Sequence, residues 1–166
     1  MLARTGLRGA LLVAMAGTIG CDRLTKHLAT DALAGTAGRS FLGGAVQLDY
    51  AENAGAFLGL GASWPPATRL IVFATATVLG LWLIAALARR LRGRPALVGL
   101  GLIAGGSVSN LADRLVSGRV IDFLYVGIGP LHTGIFNVAD VAILAGGILV
   151  VAGGRHAGRP ASGPPA

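Results

Sequence analysis

The segment "LIVFATATVLGLWLIAALARRLRGRPALVGLGLIAGGSVSNLADR", residues 70–114, decides the fold class of this chain. It holds two uncharged apolar runs, Leu70 to Ala88 and Pro95 to Ala112, on either side of the basic stretch "RRLRGR". A membrane-spanning helix needs about 20 mostly apolar residues, and both runs approach that length. The segment therefore predicts two transmembrane helices joined by a short basic loop.

Two further apolar segments flank this hairpin. One runs from Gly9 to Cys21, and the other is centred on Val141 to Gly154. Each qualifies as a span if polar residues are accepted near one of its ends. We therefore predict an all-α membrane protein with four transmembrane helices, at about 7–28, 68–88, 95–114 and 137–153. Residues 1–154 would form one domain, with extracytoplasmic segments at 29–67 and 115–136 and a disordered cytoplasmic tail at 155–166.

Composition and charge support this class. Hydrophobic residues make up 54% of the chain and charged residues 13%, with a mean hydropathy of +0.71, whereas soluble domains average about 25% charged residues. The net charge of +7 would suit a nucleic-acid partner, but the positions of the basic residues along the chain are better explained by a membrane topology. With four spans, eight arginines fall on one side, which predicts that this side and both termini are cytoplasmic; they are Arg4, Arg8, Arg89, Arg90, Arg92, Arg94, Arg155 and Arg159.

The first apolar segment has a second interpretation. The stretch "AGTIGCDRLTK", residues 16–26, resembles the end of a bacterial lipoprotein signal peptide that would be cleaved before Cys21. Cleavage there would leave three spans and spoil the sorting of charge, and Thr18 stands where such peptides usually have leucine. We therefore predict a permanent helix. A single cysteine excludes an internal disulfide, and no Cys/His cluster indicates a metal site.

The two outer segments carry weaker signals. In "AVQLDY", residues 45–50, apolar and polar residues alternate with period two, which predicts a β-strand. The following "AENAGAF" predicts a turn and then a second short strand or loop. The second outer segment, 115–136, is rich in glycine and is predicted to be a loop.

Polar residues at membrane depth are candidates for function, because an aspartate near a bilayer centre costs about 2.5–3.5 kcal/mol on insertion scales. In this chain they occur at helical spacing near the predicted outer ends of the spans: Asp22 with Lys26, Asn110 with Asp113 and Arg114, and Asn137 with Asp140. A further carboxylate, Asp122, lies among apolar residues in "VIDF".

Each of these residues also has a purely structural interpretation. The pair Asp22–Lys26 fits an interfacial ion pair, which we favour over a catalytic role. Asn53 fits a turn residue, Asp122 a helix cap, and Asp140 a partner of a helix dipole. The group Asp113–Arg114 fits the hydrated end of a helix.

Asp122 and Asp140 gain significance if the fold brings them together. Two carboxyl groups in one poorly hydrated pocket cannot both ionise easily, so the pair shares a proton. In that state one carboxylate can activate a water molecule while the protonated partner donates to a scissile carbonyl, as in an aspartic peptidase. Other hydrolytic mechanisms have weaker support, since no serine or histidine is placed for a triad and Cys21 lies beside Asp22.

Five motifs in order resemble those of the lipoprotein signal peptidases (signal peptidase II), a family of bacterial membrane aspartic peptidases. They are "CDRLTK", "ENAGAF", "GGSVSNLADR", "VIDF" and "FNVAD", and the resemblance covers about residues 7 to 153. It implies a catalytic dyad of Asp122 and Asp140. It also implies substrate-binding residues Asn53, Asn110, Arg114 and Asn137, with Asp22, Lys26 and Asp113 in supporting positions.

The resemblance further implies cleavage of diacylglyceryl-modified prolipoproteins just before the lipidated cysteine, without metal or cofactor. The enzyme would be a monomer among the lipids of the bacterial cytoplasmic membrane, with its active site toward the extracytoplasmic face. Residues 39–60 would match the family's small extracytoplasmic sheet, and the loop after Asp122 its mobile outer helix. Two positions depart from the family pattern: Ser109 stands where glycine is usual, and Arg23, beyond the presumed chemistry, where glutamine is common.

Two functions of other classes stay open on the sequence. A small transporter or channel could use the membrane carboxylates as a proton or cation relay, which requires polar residues spread through the depth of the bilayer. A membrane scaffold without catalysis would need neither aspartate.

Overall fold

A computed structural model of the chain describes residues 2–56, 59–91, 93–128 and 131–156. Within these ranges the protein is mostly helical and carries a small antiparallel sheet. Each predicted span overlaps one helix; the helices are α1 (Leu2–Leu33), α2 (Pro66–Arg90), α3 (Arg94–Ser117) and α4 (Val138–His156). Two of them, α2 and α3, are long and apolar enough to cross a membrane, and the apolar part of α4 is shorter.

Local sequence signals fix the limits of α2 and α3. Helix α2 begins at Pro66, where a missing N–H costs nothing, and ends on Arg89 and Arg90, whose charges suit a helix C-terminus. Helix α3 ends at Gly118, which adopts a left-handed conformation with φ 75°. Helix α4 continues to His156, so the predicted tail does not begin at residue 155; residues 157–166 lie outside the described residues.

Helix α3 is the centre of the helical bundle. Its glycines face α1 and α4 closely, whereas none of the described residues of α2 is buried. A Cβ added at Gly101 would clash with the Leu11 carbonyl oxygen, and one at Gly106 would lie 2.5 Å from the carbonyl oxygen of Ala139. Small residues therefore let these backbones approach, as is usual where helices associate in membranes.

Two adjacent glycines of α4 provide a direct test of this packing. A Cβ at Gly146 would lie 2.5 Å from the Gly99 carbonyl oxygen, but one at Gly147 would meet nothing within 4 Å. We expect Gly146→Ala to lower the free energy of unfolding by about 1–3 kcal/mol, because α3 and α4 must separate. Gly147→Ala should leave it unchanged or slightly raised. Thermal unfolding in detergent measures both variants, and equal transition temperatures would contradict the packing.

The sheet contains four antiparallel strands in the order β1-β2-β3-β4. They are β1 (Arg39–Phe41), β2 (Val46–Asn53), β3 (Val120–Ile128) and β4 (Leu131–His132). The strand expected from "AVQLDY" is therefore present as part of β2. The expectation of a short outer helix after Asp122 is wrong for the described residues, because these residues form β3 and then β4. Its β-branched and aromatic residues, among them Val120, Ile121 and Phe123, favour a strand.

A small apolar core joins the sheet to α1. Ala29 and Leu33, near the end of α1, are buried against Phe123 of β3. This contact explains why α1 continues past residue 28, where the predicted span ended. A register shift in β2 between Leu48 and Ala51 then places Ala51 opposite Asp122. The sheet thus brings Asp122 over one end of the helical bundle.

The outward faces of the helices are apolar. Trp82 of α2 is 67% exposed, and Leu144 of α4 is 69% exposed. Exposed apolar area on this scale is uncommon on soluble monomers and indicates contact with lipid or another apolar partner.

Candidate active site

Asp122 and Asp140 meet at a shared partner, Asn137. Asp122 lies in β3 and is only 3% exposed, while Asp140 lies in the first turn of α4. The Asn137 side chain donates from Nδ2 to Asp122 Oδ1 at 2.6 Å, and its main-chain N–H donates to Asp140 Oδ2 at 3.3 Å. The two acids that sequence spacing cannot bring together are therefore held by one asparagine.

The start of α4 fixes Asp140 through a reciprocal cap. The Asp140 N–H donates to Asn137 Oδ1 at 3.0 Å, while the Asp140 carboxylate accepts from the Asn137 N–H. This arrangement satisfies two N–H groups that the first turn of a helix otherwise leaves free. Asp140 therefore lies where the helix dipole favours negative charge, as expected, and it also contacts Asn137, the partner of Asp122.

Two more asparagines complete the amide shell of the carboxylates. Asn53 donates from Nδ2 to Asp122 Oδ2 at 3.0 Å, and Asn110 donates from Nδ2 to Asp140 Oδ1 at 2.9 Å. Asn53 also accepts from the Gly55 N–H at 2.9 Å, which is the turn role expected of it. Each carboxylate oxygen of the pair therefore has its own N–H donor.

The environment of Asp122 favours its protonated form. Burial raises the pKa of this carboxyl from 3.8 to about 6, and the nearby charge of Asp140 raises it as well. The amide donors Asn53 and Asn137 and the charge of Lys26 act in the opposite direction. Desolvation is the dominant cause, as expected for a carboxyl group placed among apolar residues.

This raised pKa predicts a pH dependence of stability. Between about pH 4 and pH 6 the folded protein keeps the Asp122 proton while the unfolded chain releases it, so the free energy of unfolding falls as pH rises. Asp122→Asn removes this dependence. From pH 4 to pH 6, we expect the free energy of unfolding of wild type to fall relative to that of the variant. Thermal unfolding at matched pH values measures it, and two parallel pH profiles would contradict the raised pKa.

Beneath the two aspartates lies a buried ion cluster around Lys26, which is 2% exposed. The Lys26 Nζ lies 2.6 Å from Asp22 Oδ2 and 2.7 Å from Asp113 Oδ2. It also donates to Asn110 Oδ1 at 2.9 Å. The ion pair expected between Asp22 and Lys26 is therefore present, and it connects through Asn110 to Asp140.

Arg114 turns away from this ion cluster. Its Nη2 donates to the Gly55 carbonyl oxygen at 2.7 Å, and its guanidinium lies 4.7 Å from the centre of the Phe73 ring. The cation–π contact and the hydrogen bond hold Arg114 between the turn after β2 and α2. A pocket of about 210 Å³ adjoins it, lined by Pro66, Ala67, Arg69, Leu70, Arg114 and Gly118.

Three participants were not expected from the sequence. Arg23, which was placed beyond the presumed chemistry, pairs with Asp113 Oδ1 at 2.7 Å and so belongs to the ion cluster beneath the aspartates. Its spacing of three from Lys26 on one helix was the signal available. Gly55 and Phe73 contact Arg114, but a glycine in a turn and a phenylalanine in an apolar run give no such signal.

The described residues contain no group of three or more His, Cys, Asp or Glu side chains arranged to hold a metal ion. Instead the candidate site is a set of amide and carboxyl groups on α1, α3, α4 and the sheet. Residues 14–153 match the sequence profile of a family described as Signal peptidase (SPase) II.

The chain belongs to the signal peptidase II family. Among its relatives, the "Lipoprotein signal peptidase" of Chlorobium phaeovibrioides is 40% identical over 143 residues, 80% of this chain and 82% of that protein. The protein of the same name from Mycobacterium avium is 35% identical over 148 residues, 85% of this chain and 76% of its own. This chain is therefore a peptidase, of the aspartic type to which the family belongs.

The fold of this chain is also found in solved structures. A structure described as a bacterial membrane enzyme, solved at 2.3 Å by the in meso method, superposes with a TM-score of 0.78. It is 19% identical, and the match covers 95% of this chain and 94% of the other. At this identity the likeness concerns the fold, which is that of a membrane enzyme.

Proposed function

We propose that this peptidase removes the signal peptide of diacylglyceryl-modified bacterial prolipoproteins by cleaving just before the lipidated cysteine. Asp122 and Asp140 are the catalytic pair. The observation that carries the proposal is the position of Asn137, which donates to both carboxylates and so holds them at one point. The names of the relatives, lipoprotein signal peptidases, give the substrate class.

The two aspartates divide the chemistry. Asp122, whose pKa is raised by burial, holds the shared proton and donates it to the scissile carbonyl oxygen. Asp140, at the N-terminal end of α4, is placed where the helix dipole favours negative charge, and it takes a proton from the attacking water. The tetrahedral intermediate collapses when Asp140 gives this proton to the leaving nitrogen while Asp122 takes a proton back from a hydroxyl of the intermediate, which restores the starting protonation of the pair.

Four polar side chains bind the substrate backbone around this pair: Asn53, Asn110, Arg114 and Asn137. A peptide bond inside a helix is occupied by i→i−4 hydrogen bonds, so the signal peptide must unwind at the cleavage site. An extended segment can then bond to amide side chains and to the strands of the sheet. Asp22, Lys26 and Asp113 support the site from below.

The proposed topology has four membrane spans in one domain of residues 1–154. Helices α1 and α4 cross the bilayer together with α2 and α3, and both termini are cytoplasmic. The sheet and the aspartates lie at the extracytoplasmic face of the bacterial cytoplasmic membrane, where the lipid chains of a substrate can stay in the bilayer. The enzyme acts as a monomer, needs no cofactor and has no nucleic-acid partner.

Processing of a defined precursor tests this function. The purified protein is incubated in detergent with a diacylglyceryl-modified prolipoprotein and, in parallel, with the unmodified precursor. We expect mass spectrometry to find one cut, before the modified cysteine, and no cut in the unmodified chain. A cut at another bond, or equal processing of both precursors, would refute the proposed specificity. Ion flux through vesicles containing the protein, lost on Asp140→Asn, would instead support a transporter.

A further inference from the structure

Ser109 makes a buried hydrogen bond that a glycine at this position could not make. Its side chain is fully buried, and its Oγ donates to Asp22 Oδ2 at 2.6 Å. The other oxygen of this carboxylate, Oδ1, accepts from the Ala139 N–H at 2.8 Å, at the start of α4. Through Asp22, Ser109 therefore ties α1, α3 and the first turn of α4 together.

The same carboxylate holds the amine that orients Asn110. Lys26 Nζ contacts Asp22 Oδ2 at 2.6 Å and donates to Asn110 Oδ1 at 2.9 Å. Because an ammonium group can only donate, it fixes the carbonyl end of the Asn110 amide toward itself. The opposite end, Nδ2, then points to Asp140 Oδ1 at 2.9 Å. The orientation of one donor to Asp140 therefore depends on how Asp22 and Lys26 are held.

Arg23 closes this network on the other side. Its Nη1 pairs with Asp113 Oδ1 at 2.7 Å, and its Nη2 donates to the Ser109 main-chain carbonyl oxygen at 3.4 Å. The cluster thus combines two buried carboxylates with the buried Lys26 and the partly exposed Arg23, and its formal charges balance. A charge-balanced, hydrogen-bonded cluster is the arrangement that low-dielectric surroundings tolerate.

We propose that Ser109 is a positioning residue for Asp140, acting through Asp22, Lys26 and Asn110, and that Arg23 secures it. The inference rests on the proposed function, because it assigns Asp140 to the catalytic pair. Ser109 touches neither the substrate nor the reacting atoms. Its loss reaches the substrate only indirectly, through Asn110, and therefore lowers turnover more than it weakens substrate binding.

The kinetic test uses Ser109→Ala, with Ser107→Ala on the same helix as the matched control. We expect Ser109→Ala to lower kcat for the lipidated precursor about tenfold with KM changed less than about twofold, since a hydrogen bond to a charged group is lost. Ser107→Ala should match wild type. Arg23→Gln should lower kcat about threefold. An unchanged kcat for Ser109→Ala, or a rise in KM alone, overturns the inference.

A double-variant cycle separates positioning from general loss of stability. In the Asn110→Ala variant the contact that links Lys26 to Asp140 is already lost. Adding Ser109→Ala to it should therefore leave kcat within about twofold of the kcat of Asn110→Ala alone. Full additivity of the two effects overturns the inference. If Ser109→Ala does not fold, Ser109→Gly removes the same hydroxyl and is tested in its place. Wild type and Asp140→Asn are assayed in parallel. An inactive wild type would contradict the proposed function. An active wild type together with fully active Ser109 variants would contradict only this inference.

Discussion

Replacing Asp140 or Asp122 with asparagine should lower kcat for precursor processing by about 10³-fold or more, since each change removes a general acid or base. Asparagine keeps the size of the side chain but cannot hold or accept the shared proton. The two losses should not add in the double variant, because the aspartates act as one unit. Processing of the lipidated precursor, followed by mass spectrometry of the product, measures all three variants.

Asp49→Asn is the matched control for this pair. Asp49 is exposed on β2, and its Oδ1 accepts from the Tyr50 N–H at 2.8 Å, so the same substitution alters a carboxylate of the sheet outside the cluster. We expect wild-type kcat for this control. Thermal unfolding of every variant shows whether a lost activity is a lost fold.

The asparagine variants also disturb hydrogen bonding locally. Both oxygens of Asp122 accept from amide groups, so an asparagine there must turn its own NH₂ toward one of those donors. We expect a modest loss of stability, about 1–3 kcal/mol, without unfolding. A folded Asp122→Asn or Asp140→Asn protein that processes the precursor within tenfold of wild type would remove these residues from the mechanism.

Most of the fold that could be predicted was predicted from hydropathy and from the positions of charged residues. The two uncharged runs at 70–88 and 95–112 fall within α2 and α3, because a long apolar segment has few other ways to satisfy its backbone. The alternation of apolar and polar residues in "AVQLDY" predicted the strand β2. The strand β3 was missed because "VIDF" offers an acid among apolar residues and no alternation, and its pairing with β2 is a long-range contact.

The site was predictable as a list of residues but not as an arrangement. Spacing placed Asn137 beside Asp140 and Asp22 beside Lys26 on their helices. It could not bring Asp122 to Asp140, because one lies in a strand and the other in a helix, and they meet only because the sheet packs on α1 and α3 while α4 packs on the same two helices. The motif resemblance supplied that pairing. The spacing of Arg23 from Lys26 placed both on one face of α1, but their contacts with α3, like those of Ser109, depend on how the helices pack.

The buried ion cluster predicts the largest effect on stability. Replacing Lys26 with methionine leaves the Asp22 and Asp113 carboxylates buried at 0% and 5% exposure, with Arg23 as the nearest remaining cation. Breaking a buried pair by removing one partner costs about 3–5 kcal/mol, because an uncompensated charge stays behind. We expect a loss of that size in the free energy of unfolding, together with loss of processing as Asn110 is released.

A pair on the surface supplies the control for Lys26→Met. Arg119 Nη1 lies 2.9 Å from Glu52 Oε2, but their side chains are 55% and 45% exposed. Arg119→Met should therefore change the free energy of unfolding by less than about 1 kcal/mol. Adding Asp22→Asn to Lys26→Met should recover part of the lost stability, since it removes one stranded charge. A Lys26→Met effect no larger than that of Arg119→Met would mean that solvent reaches the cluster, and the link from Lys26 through Asn110 to Asp140 would then lose its physical basis.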